Sequence, residues 1–202
     1  MQASQTNTQE AARGTATGSR PSILVVDDHP GFRCGVVEMI REMGDVGICG
    51  EVGDGESALE AMRRLHPDLV LTDVNLPGPD GIEITRVTKA EAPETAVLVV
   101  SSYDEAIYGV KALRAGASGY VCKDNAFEDL VPAIRQALRH EIFASPRLMS
   151  FFFLYLSRVL PPDSRADMEE AFAANDMNRL YSMANALNNE AQEGDPNQFA
   201  TR

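Results

Sequence analysis

The stretch LVLTDVNLPGPDG, residues 69–81, decides how the rest of this sequence is interpreted. Its first four residues are apolar or β-branched, and they predict a short buried strand. Asp73 follows this strand at once, and a segment rich in Pro and Gly then predicts a turn. In open α/β folds the functional crevice lies outside the carboxyl ends of the strands. Asp73 is therefore the first candidate for a functional side chain.

Four more short apolar runs accompany this strand, and helical periodicity fills the intervals between them. The runs are ILVV at 23–26, GICGEV at 47–52, AVLVV at 96–100 and YVC at 120–122. The helical stripes are Phe32, Val36, Met39, Ile40 and Met43, then Ala58, Met62 and Leu65, then Ala106, Val110 and Leu113, and finally Phe127, Leu130, Val131, Ile134 and Leu138. Five β-α units in succession predict a parallel sheet with helices on both faces.

Polar residues follow four of the predicted strands at the end where such sheets carry their chemistry. They are Asp27 and Asp28, Asp73, Ser101 and Ser102, and Lys123. Three carboxylates in one place repel one another unless a cation keeps them ionised, and Mg²⁺ prefers carboxylate oxygens together with a phosphate oxygen. A lysine ammonium suits a phosphoryl oxygen, and a carboxylate can form an aspartyl phosphate. The pattern predicts an Mg²⁺-dependent phospho-acceptor site at Asp73.

Each of these residues has a simpler explanation when it is taken alone. An isolated Asp after a strand is more often a helix cap or a turn former, and a single Lys there is usually solvated. His29, beside the acids, is better explained as part of the turn that precedes Pro30 than as a metal ligand. Because the polar residues recur at the same end of successive strands, the pattern favours a shared site over separate local roles.

Four segments resemble, in order and spacing, the motifs of bacterial response-regulator receiver domains of the NarL/LuxR type. They are ILVVDDHPGFRCGV, LVLTDVNLPGPDGIE, VLVVSSY and LRAGASGYVCKD. The resemblance covers residues 21–142. It implies a flavodoxin-like, doubly wound sheet of five parallel strands in the order 2-1-3-4-5, followed here by a small C-terminal helical extension.

The resemblance also implies the roles of the site residues. Asp73 matches the phosphorylated aspartate, which would bind Mg²⁺ together with Asp27, Asp28 and the backbone carbonyl of Asn75. The residues expected to respond to the phosphoryl group are the hydroxyl of Ser101, the ammonium of Lys123 and the aromatic switch Tyr120. Ser102 and Tyr103, near the entrance, are expected to modulate the site.

The resemblance implies a function in two-component phosphorelay signalling. A sensor histidine kinase or phosphotransfer protein would transfer a phosphoryl group to Asp73, and the change would switch protein–protein interaction or dimerisation. Such a domain is not an enzyme with its own substrate, although it takes part in its own phosphorylation and dephosphorylation. A phosphatase with an aspartyl-phosphate intermediate is the enzymatic alternative, but it needs an acid where this chain has Asn75.

We expect the segment after the receiver motifs to divide into a helical extension at 143–192 and a flexible tail at 193–202. We expect residues 1–20 to form a disordered N-terminal tail. RHEIFASPRLM, at 139–149, resembles the linker that leads to a LuxR-type helix-turn-helix, but the residues that follow it show no recognisable match to that module. Residues 143–202 hold five Arg, no Lys and eight acids, so DNA binding is not expected. A DNA-binding transcriptional regulator with an unrecognised output domain stays as the alternative.

Two apolar stripes in the extension predict helices, namely Leu148, Phe151, Phe152, Tyr155, Leu156 and Val159, and Leu180, Met183, Ala184, Leu187 and Ala191. They pack on each other or on the receiver, or they form a homodimer or partner interface. The second stripe lies in a segment similar to a helix of histidine phosphotransfer domains, with Asn185 in the place of the phosphorylated histidine.

The composition argues against nucleic acid and membrane partners. Acids outnumber bases 30 to 18, giving a net charge of −12, so the chain has no overall basic footprint. The longest apolar run, at 148–160, is too short to cross a bilayer. Three separated cysteines and an N-terminus without the apolar core of a signal peptide predict a cytoplasmic protein.

Overall fold

Five parallel strands form the centre of the fold, in the order β2-β1-β3-β4-β5. The computed structural model describes residues 20–193, with side chains as far as Ala186. The strands are β1 (Ser22–Val26), β2 (Gly47–Val52), β3 (Leu69–Thr72), β4 (Ala96–Ser101) and β5 (Gly119–Cys122). Strands β1, β3 and β4 are apolar and buried almost throughout, as expected when helices cover both faces of a sheet. The predicted sheet and strand order are confirmed.

Helices pack on both faces of the sheet. The helices of the receiver part are α1 (Pro30–Met43), α2 (Gly55–Leu65), α3 (Gly81–Glu91), α4 (Tyr108–Arg114) and α5 (Ala126–Ala137). Alternate strand residues point to opposite faces, so α1 and α5 share one core with Ile23 and Val25, whereas α2 and α3 share another with Leu24 and Val26. Within residues 20–193, no helix combines the length and apolar character needed to span a membrane.

Residues 73–80 form a tight connection between β3 and α3. The side chain of Asp80 caps this helix by accepting a hydrogen bond from the amide of Glu83 at 2.8 Å. Gly81 begins the helix against the backbone of β3, where a Cβ atom would lie 2.0 Å from the carbonyl oxygen of Asp73. Because only glycine permits this approach, the turn holds the backbone of Asp73 in place.

Three features of the helices differ from the sequence prediction. Helix α3 lies between the third and fourth strands, where the sequence shows no clear apolar stripe. The stripe is weak because two of the buried residues of α3 are Thr85 and Thr88 and not apolar side chains. Ala106 precedes the first residue of α4. Phe127, expected on the core face of α5, is 86% exposed; the core positions of that helix are taken by alanines together with Leu130 and Ile134.

The extension forms three further helices that pack on the receiver part. They are α6 (Pro146–Val159), α7 (Arg165–Ala173) and α8 (Met177–Glu193). Phe143 lies beside Gly119 at the edge of the sheet and donates its amide to the carbonyl of Ser118, which brings the chain to α6. Leu148, Phe152 and other buried residues of α6, α7 and α8 share one core with α4 and Tyr120. Packing within the chain describes most of both stripes, but Val159 is 42% exposed. The side chains of Leu187 and Ala191 lie outside the described residues.

Candidate functional site

Two of the candidate acids lie at the carboxyl ends of neighbouring strands. Asp27 follows β1 and Asp73 follows β3, and these strands pair in parallel register. The ladder continues into both residues, because the amide of Asp27 donates to the carbonyl of Val52 and the amide of Asp73 to that of Val26. The chain leaves β1 toward one face and β3 toward the other, so the acids lie at the topological switch point of the sheet.

Lys123 reaches both acids from the end of β5. Its Nζ lies 2.6 Å from Oδ2 of Asp73 and 2.7 Å from Oδ2 of Asp27, and its side chain is 10% exposed. Burial alone would lower the pKa of this ammonium, but hydrogen bonds to the two carboxylates and their charges outweigh it and raise the pKa above its ordinary value. Lys123 is therefore a permanent cation of the site at neutral pH.

A third carboxylate leaves the site with more negative than positive charge. Ligand atoms of Asp27, Asp28, His29 and Asp73 lie within 4.8 Å of one another. Oδ1 of Asp28 is buried and accepts a hydrogen bond from no described residue; Nδ1 of His29 is 2.6 Å away but lacks hydrogen-bond geometry. Three carboxylates facing one ammonium, with an unsatisfied buried oxygen among them, fit a hard divalent cation such as Mg²⁺.

Asn75 and Ser101 also lie at strand ends on this edge, but only Asn75 forms a hydrogen bond to one of the acids. The amide of Asn75 donates to Oδ1 of Asp73 at 3.3 Å, so its backbone turns around the acid. Ser101, the last residue of β4, is almost fully buried, and its Oγ accepts the amide of Tyr103 at 3.4 Å. Ser102 is exposed and lines a surface depression together with Lys123.

Tyr120 is buried under the loop that follows β4. Only 1% of its surface is exposed, and its hydroxyl donates to the carbonyl oxygen of Tyr103 at 2.6 Å. Burial raises the pKa of this hydroxyl well above its ordinary value, so it remains a donor. Tyr103 itself is exposed and stacks on Tyr108, with ring centroids 4.6 Å apart. The loop between Ser101 and α4 is thus held from below by Tyr120 and from outside by this pair of rings.

The sequence pattern places Phe32 only on the core face of the first helix. In the structure its ring lies 4.4 Å from Nζ of Lys123, close enough for a cation–π contact. The position of Phe32 in the sequence could have indicated this contact, because Phe32 lies in the first turn of a helix that begins directly after Asp28 and His29. An aromatic residue in that turn lies at the same edge of the sheet as the acids.

A model of the response regulator receiver domain family matches residues 23–135, which is more than half of the chain. The chain belongs to the response regulator receiver domain family. The match spans all five strands and the residues placed at their ends. The chain therefore contains the receiver domain of a two-component response regulator, and its fold is the one expected of that family.

Similar proteins agree with this assignment. The chain is 33% identical to the nitrate/nitrite response regulator protein NarL of Escherichia coli over 183 residues, covering 90% of this chain and 79% of NarL. It is 36% identical to the response regulator GacA of Pseudomonas aeruginosa over 126 residues, covering 62% of this chain and 59% of GacA. The signal receiver domain of the response regulator NarL from Mycobacterium tuberculosis superimposes with a TM-score of 0.58 at 34% identity, covering 60% and 98% of the two chains.

Proposed function

We propose that Asp73 is the phospho-acceptor of this receiver, supplied by a histidine kinase or phosphotransfer protein, with Mg²⁺ held by Asp27, Asp28 and Asp73. The observation that carries the proposal is the bridge from Lys123 to Asp73 and Asp27, beside a third carboxylate with an unsatisfied oxygen. Asp73 is 3% exposed and anchored by β3, so its carboxylate is oriented before any donor arrives.

The transfer needs alignment and charge neutralisation more than acid–base chemistry. An oxygen of Asp73 forms a bond to phosphorus while the bond from phosphorus to the histidine nitrogen of the donor breaks, and the electron pair of that bond returns to the imidazole. Lys123 faces the acceptor carboxylate and neutralises charge on the phosphoryl oxygens. Asp27, Asp28 and the carbonyl of Asn75 would hold Mg²⁺, which when bound offsets the remaining negative charge.

The response to phosphorylation runs through Ser101 and Tyr120. The added negative charge attracts the hydroxyl of Ser101, which moves the loop that starts there, and Tyr120 turns into the space that the loop leaves. The hydrogen bond from Tyr120 to Tyr103 supports this coupling, because it ties the buried ring to that loop. The output is a changed surface for protein–protein interaction or dimerisation.

Hydrolysis of the aspartyl phosphate is the step in which the receiver contributes to its own reset. Water reaches the acceptor through the depression lined by Ser102, His29 and Phe32, so exposed side chains at this entrance control access. Ser102 lines this depression and is exposed, and Tyr103 is exposed next to it in the chain, which supports the modulating role that the family resemblance gives them.

Acetyl phosphate with Mg²⁺ tests the acceptor directly. Intact-mass spectrometry should show one added phosphoryl group on the full chain, complete loss of this adduct in Asp73→Asn, and loss in the wild type after Mg²⁺ is chelated. Asp45→Asn is the matched control, because Asp45 is an exposed acid paired with Arg135 away from the site. Equal labelling of Asp73→Asn and the wild type would remove Asp73 as the acceptor.

DNA binding by the extension is the second candidate function. It is favoured by the similarity to NarL, which extends over 183 residues and so continues beyond the receiver. The charges of the extension argue against it, since Arg179 pairs with Asp167 and Glu170, and Arg147 with Asp104. A gel-shift assay at low salt with random duplex DNA decides between them, because nonspecific phosphate contacts are strongest there; a shift of the full chain would support this second function.

A further inference from the structure

Helices α4 and α6 lie side by side with their first turns together. Ser145, which caps α6, donates its Oγ to Oε2 of Glu105 in the loop before α4, at 2.7 Å. Farther along, Gly109 packs so closely on α6 that a Cβ atom there would lie 2.7 Å from Cδ1 of Leu148. Because the inner sides of the two helices share one apolar core, their outer sides form neighbouring ridges of one surface. The receiver part and the extension each contribute one ridge.

Cation–π contacts run along this surface and connect the two helices. On α4, Nζ of Lys111 lies 4.9 Å from the centroid of the Tyr108 ring. Arg114, also on α4, reaches across to α6, where its Cζ lies 5.0 Å from the centroid of the Tyr155 ring. Arg158 follows Tyr155 by three residues and therefore lies on the same side of α6. These five residues are called the α4–α6 strip below.

The strip carries positive charge that the described residues do not balance. Lys111, Arg114 and Arg158 are exposed, and none of them forms an ion pair with an acid of the described residues. Arg147, nearer the start of α6, differs from them because it pairs with Asp104 at 3.1 Å. The chain as a whole has a net charge of −12. A group of three unpaired cations on such a chain gives this surface the opposite sign to that of the molecule.

The tyrosine rings also restrict the cations of the strip. A long cationic side chain loses rotamer freedom when a partner immobilises it, and this loss weakens binding. The guanidinium of Arg114 already lies over the ring of Tyr155, so it has less freedom left to lose. Arg and Tyr are also among the residue types that contribute most to binding energy at protein–protein interfaces. The strip therefore has the composition and the partial order of an interface.

The contacts of the rings favour an acidic peptide over a nucleic acid as the partner. The bases of a single strand bind by stacking on open aromatic rings. Tyr108 already stacks on Tyr103, with ring centroids 4.6 Å apart, and Lys111 lies over it as well. The overall negative charge of the chain also repels a polyanion, whereas a few carboxylates are enough to pair with the strip.

We propose that the α4–α6 strip binds an acidic helical segment of a partner protein, whose carboxylates pair with Lys111, Arg114 and Arg158. Lys111 and Arg114 are three residues apart on one helix, and acids at the same spacing on a partner helix lie at matching distances. The tyrosine rings contact the apolar part of that segment. The inference goes beyond the proposed function, because it requires no phosphoryl group at Asp73.

Fluorescence anisotropy with the full chain tests this proposal. The probe is a fluorescein-labelled helical peptide of about 18 residues, made of Glu, Leu and Ala with its glutamates on one face. The control probe has Gln in place of every Glu. At low salt the Glu peptide should bind about tenfold more tightly than the Gln peptide, the scale of three exposed ion pairs. Added salt should reduce this difference.

Variants of the strip show whether its cations are responsible. Lys111→Gln/Arg114→Gln/Arg158→Gln should weaken binding of the Glu peptide about tenfold. The charge-reversed variant Lys111→Glu/Arg114→Glu/Arg158→Glu should lose the Glu peptide and bind a version of the probe with Lys in place of Glu. Because this second variant gains a ligand, its behaviour cannot be explained by a failure to fold.

A second triple variant controls for the overall charge. Arg41→Gln/Arg63→Gln/Arg86→Gln also removes three positive charges, from exposed arginines on α1, α2 and α3. It should change the affinity for the Glu peptide by less than about twofold, because exposed charges at a distance are screened. Equal weakening by this variant and by the strip variant would contradict the proposal.

Other occupants of the strip would give different results. If the Gln peptide binds as tightly as the Glu peptide, the surface is an apolar site and the proposal is wrong. Tighter binding of oligothymidylate, lost in the strip variant, would assign the strip to a nucleic acid. A mass of the chain alone that rises with concentration in sedimentation, and falls to the monomer in the strip variant, would assign it to a second copy.

The strip and the proposed phospho-acceptor can fail independently. Asp73→Asn should bind the Glu peptide as the wild type does, because the strip cations have no contact with that carboxylate. If the phosphoryl adduct forms on the wild type but the Glu peptide does not bind at low salt, the strip proposal is overturned and the acceptor site stands. If the peptide binds but no adduct forms, the proposed function fails and the strip remains.

Discussion

The carboxyl edge of the sheet and the contact between α4 and the extension are built on different physics. At the edge, charged groups have specific partners at hydrogen-bond distance, as Lys123 has in Asp27 and Asp73. At the contact, the buried side chains of Leu148, Phe152 and their neighbours pack against α4. The hydrogen bond from Ser145 to Glu105 lies at the margin of this apolar contact. Charge pairing depends steeply on position, whereas apolar burial is non-directional. We therefore expect the edge to be rigid and the contact to be adjustable.

That difference suits a site whose geometry is fixed in advance by the sheet. A phospho-acceptor must be aligned before the donor arrives, and Asp73, which we propose in this role, is held by the strand ladder and by the start of α3.

Two glycine substitutions give the largest expected difference. Gly81→Ala places a Cβ 2.0 Å from the carbonyl oxygen of Asp73, where backbone meets backbone, and should lower the free energy of unfolding by about 3 kcal/mol or more. Gly109→Ala meets side-chain atoms alone, namely the end of Leu148 at 2.7 Å and Cβ of Glu105 at 3.4 Å, and it gains helix propensity, so it should cost about 1 kcal/mol or less. Urea denaturation followed by circular dichroism measures both.

Leu148→Ala in the background of Gly109→Ala is the control for this pair. Removing the side chain that the new methyl group meets should make the two changes at the contact non-additive. Equal losses of stability for Gly81→Ala and Gly109→Ala would show that the contact is as rigid as the edge, and the contrast between the two regions would then fail.

The sequence predicts the edge in detail because each of its residues is adjacent to a strand. Once the strands at 69–72 and 120–122 are recognised, parallel pairing brings Asp73 and Lys123 to one edge, where the structure places them 2.6 Å apart. The local pattern also suffices for all five strands, whose bounds agree with the predicted runs to within one residue. What the sequence does not show is that the ring of Phe32 lies over Lys123, since helix rotation decides this.

The extension illustrates the opposite case. Its apolar stripes predict helices, but a stripe is equally compatible with packing inside the chain and with a partner, so the sequence could not decide between them or single out α4. Phe127 shows the same weakness on α5: a large apolar residue at helical spacing fits a core face, yet small alanines occupy that face and leave Phe127 exposed. Packing partners are decided by shape between distant segments, which no local pattern records.

Lys123→Met tests the charge balance of the edge. The ammonium lies within 3 Å of two of the proposed Mg²⁺ ligands, so its loss removes a repulsive neighbour of the metal and leaves three uncompensated carboxylates. We expect Mg²⁺ to bind on the order of tenfold more tightly, about 1.4 kcal/mol, while labelling by acetyl phosphate becomes slower. Isothermal titration calorimetry measures the affinity.

Lys111→Met is the matched control for this change. Lys111 is an exposed lysine on α4 whose ammonium lies over the ring of Tyr108, away from the acids. Its replacement should leave Mg²⁺ affinity unchanged, because exposed charges at a distance are screened by salt. Weaker Mg²⁺ binding in Lys123→Met would mean that the lysine organises the acids rather than competing with the metal.

Substitutions of Phe32 should give the smallest change in stability. The ring of Phe32 takes part in both apolar packing and a charge interaction, because it packs on the core and its centroid lies 4.4 Å from the ammonium of Lys123. Phe32→Leu keeps an apolar side chain but removes the π face, whereas Phe32→Tyr keeps both. A double-mutant cycle of Phe32→Leu with Lys123→Met should give a coupling energy of about 0.5–1 kcal/mol in urea denaturation. The same cycle with Phe127→Leu, at a ring that is 86% exposed, should give none. If Phe32→Leu and Phe32→Tyr couple equally to Lys123, the ring acts through packing alone, and the edge owes its rigidity to its ion pairs without help from the aromatic face.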